Sequence, residues 1–153
     1  MVPSGGLNRE GREDGEGREA RVAVEIPGGS MAHLDADLAV TLDEDRPGML
    51  AKALGCVSGG GINIDGYAEI GGVVHVLSPN LPGARRCLET SGFRIVQEQQ
   101  VVLVPVADTP GAAAAVFQKL AEAHINIRYT YLASRNRLVI SADRPDDVIK
   151  ALA

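Results

Sequence analysis

The stretch DRPGML, Asp45 to Leu50, places an acid, a proline and a glycine directly ahead of an apolar helical stripe. DTPGAA, Asp108 to Ala113, repeats the arrangement at an offset of 63 residues. In each copy Pro suits the first turn of a helix, where its missing N–H costs nothing. Upstream of the first corner, Leu38, Val40 and Leu42 alternate with Ala39 and Thr41, the period of a half-buried strand. Downstream, Leu50, Ala53, Leu54 and Val57 form the i, i+3, i+4, i+7 stripe of an amphipathic helix. The spacing therefore predicts a helix with Pro47 in its first position, stopped by the glycines at Ser58–Gly61.

Alternation resumes over Ile62–Ile70. Gly71-Gly72 predicts a hairpin into Val73–Leu77, a second helix fits Pro82–Thr90, and a fourth strand starts at Phe93. The order is β-α-β-β-α-β. At the same offset Asn63 falls on Asn126, Ser78 on Ser141 and Pro82 on Pro145, without a gap. The helical stripe becomes Ala113, Val116, Phe117 and Leu120, so the buried face also stays in register, as an internal duplication requires. Thr109 is a suitable N-cap ahead of Pro110. His124 replaces Gly61, which predicts a left-handed residue closing the helix before it.

The second copy ends at Ala153 without a fourth strand. The run IVQEQQVVLVPVAD carries no turn residue between the copies, so either one long strand is shared or a break lies at Gln97–Gln100. An unpaired edge would then need a cover, and a second chain is the expected one. The expectation is α+β: two ferredoxin-like βαββαβ units, the second lacking its last strand, with antiparallel sheets and helices on one face. Residues 1–33 form a tail, 34–99 the first unit and 100–153 the second. The tail mixes Gly with nearly balanced Glu and Arg around one apolar patch, VAVEI, so disorder is expected there, and Met31 reads as an alternative start.

Composition narrows the function. Hydrophobic residues make up 45% of the 153, enough for a core, and with 3% aromatics that core must be aliphatic. A net charge of -5 argues against a nucleic-acid partner, and no apolar run reaches membrane-span length. Cys56 and Cys87 form no CxxC or Cys/His pattern and read as reduced thiols of a cytoplasmic protein. No metal spacing appears, and the glycines at 59–61 lack the Lys of a phosphate loop, so no cofactor, metal or catalytic residue is expected. His75 reads as an interface or partly exposed strand residue, and the alternation places Tyr129 and Tyr131 with the buried face rather than on an RNA-stacking face.

Two D-x-P-G corners, Asp45-Arg46-Pro47-Gly48 and Asp108-Thr109-Pro110-Gly111, each lead to a (G/H)-I-N-I strand, Gly61–Ile64 and His124–Ile127. This combination resembles the ACT domain family, over about residues 36 to 153, and is similar to stand-alone tandem ACT proteins. The resemblance implies a side-by-side pseudo-dimer without a catalytic domain that binds amino acids between its copies. It implies further that the corner of one copy faces the Asn-bearing strand of the other. Carried across, Asp43, Asp45, Arg46, Pro47, Gly48 and Met49 would face Asn126 and Arg128. Asp108, Thr109 and Gly111 would face Asn63 and Asp65. A helix N-terminus suits a ligand carboxylate, while Asp or Asn oxygens accept from its ammonium group. The first corner is richer in polar groups, since Val106 and Ala107 replace Asp43 and Glu44 in the second.

The expected function is a regulatory sensor that binds an amino acid, is a homodimer, and acts with a partner enzyme of amino-acid metabolism. The alternatives are an interaction subunit that docks on such an enzyme without ligand, and a small enzyme of the acylphosphatase type. The latter lacks that family's glycine-rich loop and paired Arg/Asn arrangement.

Overall fold

A computed structural model of the chain describes residues 23–26, 30–44 and 46–153. The expected disorder of the tail at residues 1–22 and 27–29 lies outside the described residues, as does Asp45. The elements are β1 (Ala23–Ile26), β2 (Ser30–Thr41), α1 (Met49–Gly59), β3 (Gly66–Ile70), β4 (Val73–Leu77), α2 (Leu81–Thr90), β5 (Arg94–Pro105), α3 (Ala112–Glu122), β6 (Ile127–Ala133), β7 (Arg137–Ala142) and α4 (Pro145–Leu152).

All the pairings are antiparallel, in the order β3-β4-β2-β5-β7-β6, with β1 added to β2. The four helices among the described residues lie on one face. Leu38 and Val40 of β2 pack there with Ala53 and Val57 of α1 and with Ala84 and Leu88 of α2. Val102 and Val104 of β5 pack with Val116 and Leu120 of α3 and with Val148 and Ile149 of α4. This is the expected α+β architecture of two ferredoxin-like units.

The junction takes the shared-strand form. β5 runs twelve residues without a break: Ile95 packs against the first core, Val102 and Val104 against the second. The expected open edge is absent, because β2 does the reciprocal. His33–Thr41 pair along β5, and Ala32 and Leu34 sit in the second core while Leu38 and Val40 sit in the first. The N-terminal half of β2 thus stands where the missing fourth strand would be, and no second chain is needed to cover that edge. β2 crosses the boundary drawn at residue 34, so residues 30–33 belong to the sheet rather than to a tail, and β1 pairs with them at Ser30–His33. The polar residues His33, Asp35 and Asp37 interrupt the apolar pattern there, which hides the strand in the sequence.

The corners also differ from expectation. Neither proline is helical. Met49 N–H donates to Arg46 O at 3.4 Å and Ala112 N–H to Thr109 O at 3.2 Å. Gly48 has φ 94° and ψ -11°, and Gly111 has φ 86° and ψ -8°. Pro-Gly therefore occupies the central positions of a type II turn, whose third residue needs positive φ, and the helices begin at Met49 and Ala112, two residues after the prolines. The hairpin glycines Gly71 (φ 61°) and Gly72 (φ 84°) and the left-handed His124 (φ 58°) are as expected.

Candidate functional site

The first corner follows β2 directly and opens a cavity of about 590 Å³. Asp43, Glu44, Arg46, Gly48 and Met49 line it from the corner, and Glu69, Gly71 and Gly72 from the β3–β4 hairpin. Arg46 donates to Glu44 Oε1 from Nη2 at 2.9 Å and from Nε at 3.1 Å, both side chains being largely exposed. Asp43 Oδ1 lies 3.4 Å from Arg94 Nη2. Glu69 Oε2 accepts from Gly72 N–H at 2.9 Å. Gly48 caps α1 without a side-chain hydrogen bond, so the first-turn N–H groups receive no side-chain acceptor from the cap. A Cβ at Gly48 would meet nothing within 4 Å, so the glycine serves the positive φ rather than the space.

The partner strand named by the resemblance is elsewhere in the chain. Asn126 lines a different cavity of about 530 Å³ with His124, Arg144 and Lys150, and Arg128 Nε lies 3.8 Å from Asp143 Oδ1. In the mirror arrangement, Asn63 Nδ2 donates to Asp65 Oδ1 at 2.6 Å. Asp65 Oδ2 lies 3.4 Å from Arg137 Nη2, with both side chains 13% exposed. Asp65 thus meets the β6–β7 hairpin rather than Asp108, Thr109 or Gly111. Its carbonyl also accepts from Ser134 N–H at 2.7 Å. The contact between β3 and β6 is close: a Cβ on Gly66 would lie 2.7 Å from Ala133 Cβ. This curls the helix-free face of the sheet inward around Leu77, Val101, Leu103 and Val139.

A polar cluster is enclosed on that face. Asp37 is fully buried. It accepts from Tyr129 Oη at 2.9 Å on Oδ1, and from Tyr131 Oη at 2.9 Å on Oδ2. Gln99 Nε2 donates to Tyr129 Oη, and the His75 ring lies 4.1 Å from that of Tyr129 with Nδ1 3.6 Å from Asp37 Oδ2. Burial first, then the charge and hydrogen bond of Asp37, push both phenols above the ordinary tyrosine value of 10.0. Tyr131 is buried and Tyr129 half-buried, on the helix-free face rather than under the helices, by the curl of the sheet. His75, expected at an interface or partly exposed, is partly exposed, its side chain 15% accessible. Sequence reasoning passed over Asp37 and Gln99. The available signal was a carboxylate on a strand whose flanking positions are apolar.

No protein-family model matches the chain, and no curated protein does. Solved structures do. Protein BT0572 from Bacteroides thetaiotaomicron superposes with a TM-score of 0.68 at 25% identity, over 79% of this chain and 88% of that one. The regulatory subunit of aspartate kinase from Thermus flavus gives 0.53 at 20% identity, over 86% and 97%. The ligand-free form of the Thermus thermophilus subunit gives 0.54 at 21% identity, over 88% and 97%.

The chain has an ACT-like fold. Within that fold both Pro-Gly turns sit at the ends of the two central strands, and the first of them opens the cavity described above. Among the described residues no group of three or more His, Cys, Asp or Glu is placed to hold a metal. None of their helices is long and apolar enough to cross a membrane.

Proposed function

We propose that the chain is a non-catalytic regulatory protein. It binds an amino acid at the first corner and acts on a partner enzyme of amino-acid metabolism. The cavity of about 590 Å³ there carries the reading, being within the usual size range of small-molecule sites. Its lining pairs the side-chain-uncapped N-terminus of α1 and Arg46, suited to a carboxylate, with Asp43, Glu44 and Glu69, suited to an ammonium group. The likeness of the fold to regulatory subunits of aspartate kinase supports a regulatory role.

Asn126 and Arg128 line no part of this cavity within the chain, so in this reading they reach it from a second copy in a homodimer. The weaker mirror site would use Asp108, Thr109 and Gly111, with Asn63 and Asp65 already engaged by other side chains. The ligand-free docking reading rested on an open sheet edge, which the N-terminal half of β2 fills.

The test is thermal denaturation with each of the twenty amino acids in turn. A ligand at a hundredfold its Kd stabilises by about 2.7 kcal/mol, a shift of several degrees. A flat response to all of them at millimolar concentration refutes amino-acid binding by the isolated protein.

A further inference from the structure

The two cysteines, far apart in sequence, lie on α1 and α2, neighbouring helices that pack on the first core. Both line a single cavity of about 420 Å³, together with Gly60 and Arg86. A Cβ built on Gly60 would lie 2.7 Å from Cys87 Sγ, so the Cys87 thiol rests against the C-terminal end of α1. Cys56 stands four residues before Gly60 on the same helical face, where side-chain positions are about 5–6 Å apart. Its thiol is turned back onto Ala53 O at 3.1 Å, a weak bond that a χ1 rotation releases. Both cysteines are free and half-buried. At the offset of 63 the same two positions carry Lys119 and Lys150, so the duplicated fold does not itself require a cysteine at either.

We propose that Cys56 and Cys87 form a dithiol site that closes to an intramolecular disulfide on exchange with a small-molecule disulfide. One cysteine, as thiolate, attacks a sulfur of the reagent, forming a mixed disulfide and expelling one small thiolate. The second cysteine, as thiolate, attacks the protein-side sulfur of that mixed disulfide and expels the second. The protein gives up two electrons and two protons, and the reagent becomes two thiols. Arg86 supplies positive charge where both displacements develop negative charge on sulfur. The bond would pin α1 to α2.

The full chain is incubated with oxidised glutathione, quenched with iodoacetamide and analysed by intact mass and peptide mapping. The expected product has lost two hydrogens, carries no glutathione or alkyl group, and yields a peptide joining Cys56 to Cys87. Cys56→Ser and Cys87→Ser should each retain one glutathione. Their conservative change keeps the fold comparable, with far-UV circular dichroism as the check. A wild-type product with glutathione on both cysteines, a cross-link between chains, or two alkylated thiols overturns the proposal.

Discussion

Leu34 separates the observed architecture from a boundary that begins the domain at that residue. At the edge of a tail it would be an exposed side chain, and Leu34→Ala would change stability by no more than about 0.5 kcal/mol. In the structure Leu34 is 5% exposed and lies in the second core with Val102, Val148 and Ile149. Truncation removes three carbons, each worth about 0.8 kcal/mol in transfer free energy. The cavity left behind adds to this, so the expected cost is about 3–4 kcal/mol, within the 2–5 found for such changes. For a chain of this size that lowers Tm by roughly 6–16 °C. The assay is urea unfolding followed by far-UV circular dichroism and by tyrosine fluorescence, the chain having no Trp. Because β2 and β5 contribute to both cores, the two signals should move together in one transition. A cost below about 1 kcal/mol, or loss of one unit ahead of the other, refutes the placement of β2.

Tyr131→Phe keeps the ring but removes a hydroxyl from a fully buried carboxylate, and should cost about 1.5–3 kcal/mol in urea unfolding, the range for hydrogen bonds to charged groups. These two phenols, Tyr129 half-buried and Tyr131 buried, also set an alkaline limit. Their folded pKa values lie above the unfolded value near 10.0, so their stabilisation is complete below pH 10 and declines as pH rises beyond it. Urea midpoints measured against pH should show that decline in the wild type and a flatter profile in the Tyr129→Phe/Tyr131→Phe variant. Gly66→Val drives a branched side chain into Ala133, whose Cβ would lie 2.7 Å from the new Cβ. It should destabilise by about 1–3 kcal/mol and increase amide exchange at Ser134, whose N–H bonds Asp65 O.

What was legible in the sequence was local or periodic. The two helices, the Gly71-Gly72 hairpin and the left-handed His124 follow from side-chain spacing and backbone preference and appear in the structure. The buried stripe of α1, however, runs through Met49, Ala53 and Val57 rather than Leu50 and Leu54, and on α3 Val116 and Leu120 are buried while Ala113 is exposed. The start of β2 was not legible. Its partner is β5, some seventy residues along, and its alternation carries His33, Asp35 and Asp37 on the helix-free face, where curling of the sheet buries a carboxylate. Burial of Asp37 depends on hydroxyls from β6, a contact that no local pattern encodes. At the candidate site the corner residues were readable, whereas Glu69 and the hairpin backbone reach the cavity through strand pairing. The turn geometry was misread because Pro47 is compatible with both a helix start and a type II turn, and only the Gly48 torsions distinguish them.

The shared strands give the two corners a mechanical relation that a pair of separate domains would lack. β2 ends at Thr41, just before the first corner, and its other end lies in the second core. β5 ends at Pro105, before the second corner, and its other end lies in the first core. A ligand that reorients the first corner therefore acts on a strand whose Leu34 end is packed against α4, and on the Asp37 cluster midway along it. Cores packed at crystal-like density deform little, so such a displacement passes along the strand to the second unit instead of dissipating in a linker. In the reading proposed above, regulation then needs no hinge between domains. It needs only that a ligand favour one placement of Asp37 on β2 against the tyrosines of β6, and any partner sensitive to that placement must change ligand affinity by the same factor.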